Sequence, residues 1–172
     1  MMRQNRQIKP QDVVILGKLI SEKVWPSQKE IGESLKISQA EISHALKTLD
    51  HVGLINLTTK TINKLAVTEF ITHALKFLYP IEKKGTGRGI LIGPSSSTFK
   101  GKVQSDEYNY IWPDPSGDSK GIVITPLITE LSSSVMENEI MYKFLNIVEI
   151  FRGLGGVRHV QEAQKILKDI LR

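Results

Sequence analysis

The stretch SQKEIGESLKISQAEISHAL, residues 27 to 46, carries two helix-start signals only eleven residues apart. Ser27 is followed three residues on by Glu30, and Ser38 by Glu41. In such a capping box the serine oxygen accepts the N3 backbone N–H and the glutamate reaches back to the N-cap N–H, so two donors orphaned at the helix start are satisfied. The spacing leaves barely two turns for the first helix, and a helix that short is unstable alone. Each helix must therefore lay an apolar face on a neighbour. The first offers Ile31 and Leu35 at i, i+4, with Gly32 beside them where a partner helix can come close. The second offers Ile42, Leu46 and Leu49, with Ala45 at the edge of the stripe.

Two short amphipathic helices joined by a tight connection are what a helix-turn-helix requires. With about 100° per residue and Ile42 as origin, Ala40, Ser43, His44, Lys47 and His51 fall opposite the apolar stripe, and Gln39 lies near the helix start. None of these is acidic; Glu41 lies on the flank, where the capping box gives it a local task. A helix entering the major groove needs small and hydrogen-bonding residues on its outer side, so that its backbone can approach base edges. Gln39, Ser43, His44 and Lys47 meet that need. A solvated helix face carries the same residue types, so this face alone leaves both readings open.

Residues 10 to 68 resemble the winged helix-turn-helix of MarR-like and related prokaryotic transcription regulators. The text that carries the resemblance is SQKEIGESLKISQAEISHALKTLDHVGLINL, above all LDHVGLI, where the second helix runs out into a strand. The resemblance implies that segment 38 to 51 is a recognition helix, with base-edge contacts from Gln39, Ser43, His44 and Lys47. Two positions depart from the pattern: Gly32 replaces the usual alanine, and Lys36 stands where the turn commonly has glycine. Either Lys36 accepts a left-handed backbone, at about 1 to 2 kcal/mol, or the turn differs.

Upstream, KPQDVVILGKLISEKVW predicts a first helix. Pro10 suits its first turn, Asp12 favours the positive helix start, and Val13, Leu16, Ile20 and Val24 form a stripe, with Pro26 as the stop. Trp25 reads as a core anchor. Downstream, Gly53 fits a C-terminal cap, Leu54 to Leu57 a strand, and TTKTINK a turn into a second strand. On that wing, Lys60 and Lys64 are candidates for phosphate or minor-groove contacts; as ordinary solvated lysines they would look the same.

The charge distribution agrees. The chain has 172 residues and a net charge of +5, of which residues 1 to 64 carry +4 and residues 65 to 172 carry +1. A basic end joined to a near-neutral half is the footprint of a nucleic-acid-binding region with a partner region. Arg3, Arg6 and Lys9 read as a frayed basic terminus. The absence of cysteine removes disulfides, thiolate nucleophiles and cysteine-based zinc sites. No apolar run reaches the roughly 20 residues of a membrane span, and VVILGKLI is interrupted and lacks a cleavage site, so a cytoplasmic protein without membrane attachment is expected.

Beyond the wing, LAVTEFITHALKFLYP predicts a linking helix with Leu65, Phe70, Leu75 and Leu78 among its apolar positions, ended by Pro80. The stretch from about 80 to 134 is rich in Gly, Pro and Ser. In it, EYNYIW and KGIVIT flank PDPSGDS and predict a hairpin, with RGILIG and FKGKV as further strands. GTGRGILIGPSSSTFKGK does not have the spacing of a phosphate loop: counting back from Gly101 and Lys102, Ser96 occupies the first glycine position and Val103 the hydroxyl position. Ile90 stands where the third glycine of a dinucleotide fingerprint belongs. Asp114 and Asp118 read as turn formers, and His44, His51, His73 and His159 lack metal-site spacing. Tyr108, Tyr110 and Trp112 alternate along one strand face, read mainly as packing residues.

Ser134 and Glu137 make a third capping box ahead of Ile140, Phe144, Ile147 and Phe151, and Gly153, Gly155 and Gly156 break that helix. A last helix, about 157 to 171, carries Val160, Ala163, Leu167, Ile170 and Leu171. One recognition helix reads too few bases for genomic selectivity, so a homodimer through the terminal helices is expected.

The sequence thus predicts an α+β protein: an N-terminal winged helix-turn-helix over 1 to 68, then a C-terminal α+β region over 69 to 172 for dimerisation. The expected function is regulation of transcription on double-stranded DNA, without a cofactor or catalysis, with a small-molecule effector as a candidate partner in the 80 to 134 region. The alternative is a protein-interaction module, such as an antitoxin or assembly factor, whose basic face meets an acidic partner.

Overall fold

Residues 6–103, 108–129 and 136–172 are described by a computed structural model. Helices α1 (Pro10–Ser21), α2 (Gln28–Leu35) and α3 (Gln39–His51) open the chain. At the start of α1, the Asp12 carboxylate accepts the Lys9 N–H at 2.9 Å. The helix stops at Ser21, well short of Pro26, so Val24 does not continue the apolar stripe and is 80% exposed. Trp25 packs half-buried against the core.

Both N-terminal capping boxes form. Ser27 Oγ accepts from Glu30 N at 3.2 Å while Ser27 N donates to Glu30 Oε2 at 2.7 Å; Ser38 Oγ accepts from Glu41 N at 3.3 Å. Between the helices Lys36 adopts φ 56° and ψ 40°, so the first of the two alternatives for this turn holds. The N–H groups of Lys36 and Ile37 both bond to the Gly32 carbonyl. A β-carbon on Gly32 would lie 2.7 Å from the Ile37 oxygen, which is why this tight turn has no room for the alanine of the usual pattern.

α3 ends in a Schellman arrangement: Gly53 N donates to Asp50 O and Leu54 N to Leu49 O, both at 3.0 Å, with Gly53 at φ 81°. Leu49 and Leu54 are both buried beside that cap. The chain then enters a two-stranded antiparallel sheet, β1 (Ile55–Asn56) with β2 (Thr61–Ile62), in the register Ile55 to Ile62 and Asn56 to Thr61.

The linking helix is composite: α4 (Lys64–Glu69), a π-helical turn (Phe70–Ala74) and α5 (Leu75–Leu78). The π turn widens the repeat, so Val67, Ile71 and Leu75 form the buried line at steps of four. A 3.6-residue reading cannot anticipate that shift, and Leu65 and Leu78, expected on the apolar face, are 71% and 46% exposed. The boundary expected near residue 68 falls inside this helix.

The second sheet differs from the expected hairpin. β3 (Lys83–Leu91), β4 (Tyr110–Pro113) and β5 (Ser119–Ile124) close on one another, with β4 and β5 each antiparallel to β3 and parallel to each other. Gly89 faces both Pro113 and Ser119. Such close approach needs bare backbone: a β-carbon at Gly89 would lie 1.8 Å from the Trp112 oxygen, and one at Gly117 2.3 Å from Gly89. FKGKV is not a strand but a run of turns, with Phe99 fully buried. Tyr110 and Trp112 are buried, whereas Tyr108 is exposed.

Two helices close the chain, α6 (Glu139–Arg152) and α7 (Val157–Ile170). The N-cap of α6 is Asn138, whose Oδ1 accepts from Met141 N at 3.0 Å; the box expected at Ser134 lies outside the described residues. The architecture is therefore α+β, with N-terminal helices, a central β region of two small sheets and C-terminal helices. One continuous core runs from Val13 to Leu171. α1 lies directly on α6, where a β-carbon on Gly17 would meet the Phe144 ring at 2.5 Å. Arg152 pins α6 to the chain on either side of β3 and β5: it donates to Tyr79 O at 2.7 Å, to Thr125 O at 3.3 Å, and to both Glu149 carboxylate oxygens at 2.8 and 3.0 Å. No helix among the described residues is long and apolar enough to cross a membrane.

Candidate nucleic-acid interface

The candidate surface is built on α3, and its rigidity comes from the residues that anchor that helix. Ile42, Ala45, Leu46, Thr48 and Leu49 are buried, with Thr48 Oγ1 donating to His44 O at 3.1 Å. The inner stripe thereby fixes which residues turn outward. Gln39, Ala40, His44 and Lys47 are exposed, while Ser43 sits half-buried on the flank. The structure thus brings Gln39, Ser43, His44 and Lys47 onto one helix, with Ser43 the least accessible.

Acidic groups near this ridge are engaged elsewhere. Ser38 lowers the Glu41 pKa from its ordinary value, first through its side-chain hydrogen bond at 2.6 Å and then through its backbone N–H. Asp50, at the far end of α3, accepts the Leu57 N–H at 2.8 Å and so ties the end of β1 to the helix. Behind the ridge lies Asp12, 1% exposed. Burial raises its pKa, opposed by the backbone bond from Lys9 and by the charges of Lys9 and His44. One of its oxygens, Oδ1, has no hydrogen-bond partner among the described residues.

The two ribbon lysines separate. Lys60 is exposed in the turn between β1 and β2, at φ 53°, and makes no ion pair among the described residues. Lys64 is not on the ribbon: it is the first residue of α4, and its ammonium donates to the Arg172 carbonyl at 2.8 Å.

Sequence reasoning missed the residues that orient the ribbon. Asn56 Oδ1 accepts from Thr59 N at 2.9 Å and shapes the turn. Asn63 caps α4 through Ala66 N at 3.2 Å and donates to Gly53 O at 3.0 Å, joining the end of α3 to the start of α4. Asn63 had a legible signal, an N-cap residue ahead of an apolar run; the contacts of Asp50 and Asn56 are set by where the chain returns. Among the described residues no group of three His, Asp or Glu is placed to hold a metal. Among the described residues of the 80 to 134 region, a cleft beside Trp112 measures about 30 Å³, room for a water, and Lys102 and Val103 line a second of about 250 Å³ with α7.

Comparison with protein-family models, with curated protein sequences and with solved structures returned no match.

Proposed function

We propose that this chain is a sequence-specific double-stranded-DNA-binding regulator of transcription, in which α1 to α3 and the β1–β2 ribbon act as a MarR-like winged helix-turn-helix. In this reading α3 enters the major groove, Gln39, Ser43, His44 and Lys47 meet base edges, and Lys60 reaches backbone phosphate from the ribbon. Phosphate contacts set affinity and base-edge contacts set selectivity. A homodimer acting from the cytoplasm on a two-fold operator completes the proposal, since paired helices double the bases read.

The observation that carries it is the outward ridge of α3. Gln39, His44 and Lys47 are exposed on a helix fixed at both ends, and the acid beside them, Glu41, is held by its own cap. The supporting feature is Lys60, a cation without an ion pair among the described residues, on a ribbon tied to that helix by Asp50. The test is selection of duplexes from a random library at physiological salt. A recurring motif is expected, and His44→Ala or Gln39→Ala should relax preference by about 1 to 3 kcal/mol at the bases touched. Absence of any enriched sequence, or enrichment indifferent to both substitutions, would overturn the reading.

A further inference from the structure

α1 packs on α3, and Asp12, in the first turn of α1, is 1% exposed. Its Oδ2 accepts the Lys9 N–H at 2.9 Å and so caps the helix, while Oδ1, equally shielded from water, has no hydrogen-bond partner among the described residues. The cap needs only the first oxygen, and a buried carboxylate with its other oxygen unsatisfied is a costly arrangement that the cap does not explain. The titratable and charged groups that face this carboxylate come from three elements: Lys9 ahead of α1, His44 on α3, and the Tyr79 phenol after α5. Tyr79 is committed elsewhere, donating to Ile8 O. Burial disfavours the charge on Asp12; against it act the Lys9 N–H first, then the charges of Lys9 and His44. His44 itself stands exposed on the outward ridge and makes no ion pair among the described residues. On its own helix Glu41 and Lys47 lie one turn away on either side and are opposite in sign. The attraction between Asp12 and the imidazole is mutual, and water at the ridge screens it in the free chain. Docking on a duplex removes that water, so the same two charges then attract more strongly.

We infer that Asp12 is a positioning residue of the duplex-reading surface: its buried carboxylate holds the His44 imidazole charged in the complex, so that binding takes up a proton from solvent and His44 reads guanine. The inference rests on the duplex reading above and deepens it. It acts through the field of the carboxylate, so no contact between the two side chains is required. Both ring nitrogens of a charged imidazole donate and neither accepts, whereas a neutral imidazole carries one of each. In the major groove guanine offers only acceptors, O6 and N7, while adenine and cytosine present an amino group. The charged ring therefore discriminates where the neutral ring would not.

The test uses the full chain in two arms. Without DNA, the carbon-13 carboxyl signal of Asp12 is titrated by NMR in the unsubstituted chain and in His44→Gln. Removing the imidazole should move the Asp12 midpoint upward, and an unmoved midpoint would overturn the pairing. With DNA, anisotropy of the duplex enriched from a random library is followed from pH 6 to pH 8 at constant salt. A proton taken up on binding changes affinity by up to about tenfold per pH unit, so affinity should fall by about tenfold across that range. Asp12→Asn keeps an acceptor for the Lys9 N–H and His44→Gln replaces an exposed residue, so folding is retained. Each should cut the fall to about twofold, and the double variant should cut it no further. A merely structural Asp12 would instead shift affinity by the same factor at every pH. Asp12→Asn should also relax the preference for guanine at the base where His44→Ala relaxes it. An enriched duplex bound equally at pH 6 and pH 8, a fall that survives Asp12→Asn, or a base other than guanine at that position would overturn the inference and leave the duplex reading in place. Absence of any enriched sequence would overturn that reading and the inference with it.

Discussion

Replacing Lys60 and Lys64 by alanine, one at a time, should separate two lysines that the sequence treats alike. Lys60 stands exposed in the β1–β2 turn, whereas Lys64 spends its ammonium on the Arg172 carbonyl at 2.8 Å. Each phosphate neutralised contributes about −0.9 to the slope of log affinity against log salt on duplex DNA. Losing the Lys60 contact should flatten that slope by about 0.9 per bound protomer. Between 50 and 200 mM salt, a roughly fourfold change, the drop in affinity should then be smaller by a factor of about 3.5, or about 12 when two copies engage. Alanine keeps the β-carbon, so the strain at φ 53° is unchanged and the comparison isolates the charge. Fluorescence anisotropy of a labelled duplex, repeated across that salt range with a preferred and an unrelated sequence, reads the slope directly. Lys60→Ala should weaken both sequences alike, and Lys64→Ala should leave the slope near its original value. Equal flattening by both substitutions, or none by Lys60→Ala, would refute the placement of the ribbon against the phosphate backbone.

Lys36→Gly should raise stability by up to about 1 kcal/mol in urea denaturation, because the left-handed backbone at φ 56° is relieved, partly offset by a more flexible unfolded chain. A loss of stability would show that the Lys36 side chain contributes more than the strain. Gly17→Ala should lower stability by about 1 to 2 kcal/mol: a β-carbon 2.5 Å from the Phe144 ring overpacks the α1–α6 contact by more than the gain in helix propensity. Phe144→Leu in the same chain should recover part of that loss. Burial pushes Glu149 from 4.5 up to about 7 against the pull of Arg152, so between those values the folded chain holds a proton that the unfolded chain has released. The resulting stabilisation is fully present below pH 4.5 and is lost as pH rises through 7; it amounts to at most about 3 kcal/mol at about 1.4 kcal/mol per pKa unit. Urea midpoints should fall from pH 5 to pH 8, and Glu149→Gln should flatten that fall.

What was legible in the sequence is what is decided locally. A capping box is closed within four residues, and a Schellman cap needs little beyond a glycine after an apolar stripe, so the starts of α2 and α3 and the end of α3 were readable. The turn at Lys36 was readable as a choice of two, and the positive φ decides it. The central region was not readable in the same way. EYNYIW and KGIVIT have the texture of an antiparallel pair, yet the two strands run parallel to each other and the antiparallel partner of each is β3, through glycines whose bare backbone admits both neighbours at Gly89. Alternation identifies a strand and says nothing of its partner. In the linking helix Leu75 is buried as expected and Phe70 packs at the edge of the core, whereas the buried line runs through Val67 and Ile71 rather than Leu65 and Leu78, with a π turn between that a 3.6-residue period does not include. On the candidate interface, the outward residues of α3 followed from helical geometry. Lys64 did not, because its partner, Arg172, is distant in sequence.

A boundary at residue 68, natural from the change in composition, meets a physical difficulty in α1. Val13, Val14, Ile15 and Leu16 are consecutive and all fully buried, so this helix is covered around its circumference, whereas a three-helix unit standing alone would leave one face in water. The missing cover is α6, which packs on α1 at Gly17, while the Tyr79 hydroxyl bonds to the Ile8 carbonyl and fastens the start of the chain as well. A fragment of residues 1 to 68 should therefore expose aliphatic side chains worth about 1.5 to 3 kcal/mol each when fully buried, a large share of the stability of so small a unit. Circular dichroism should show helical content that melts broadly and at lower temperature than in the full chain. A fragment that unfolds as sharply, and at the same temperature, would mean that the α1–α6 contact adds nothing to the helices that carry the candidate interface.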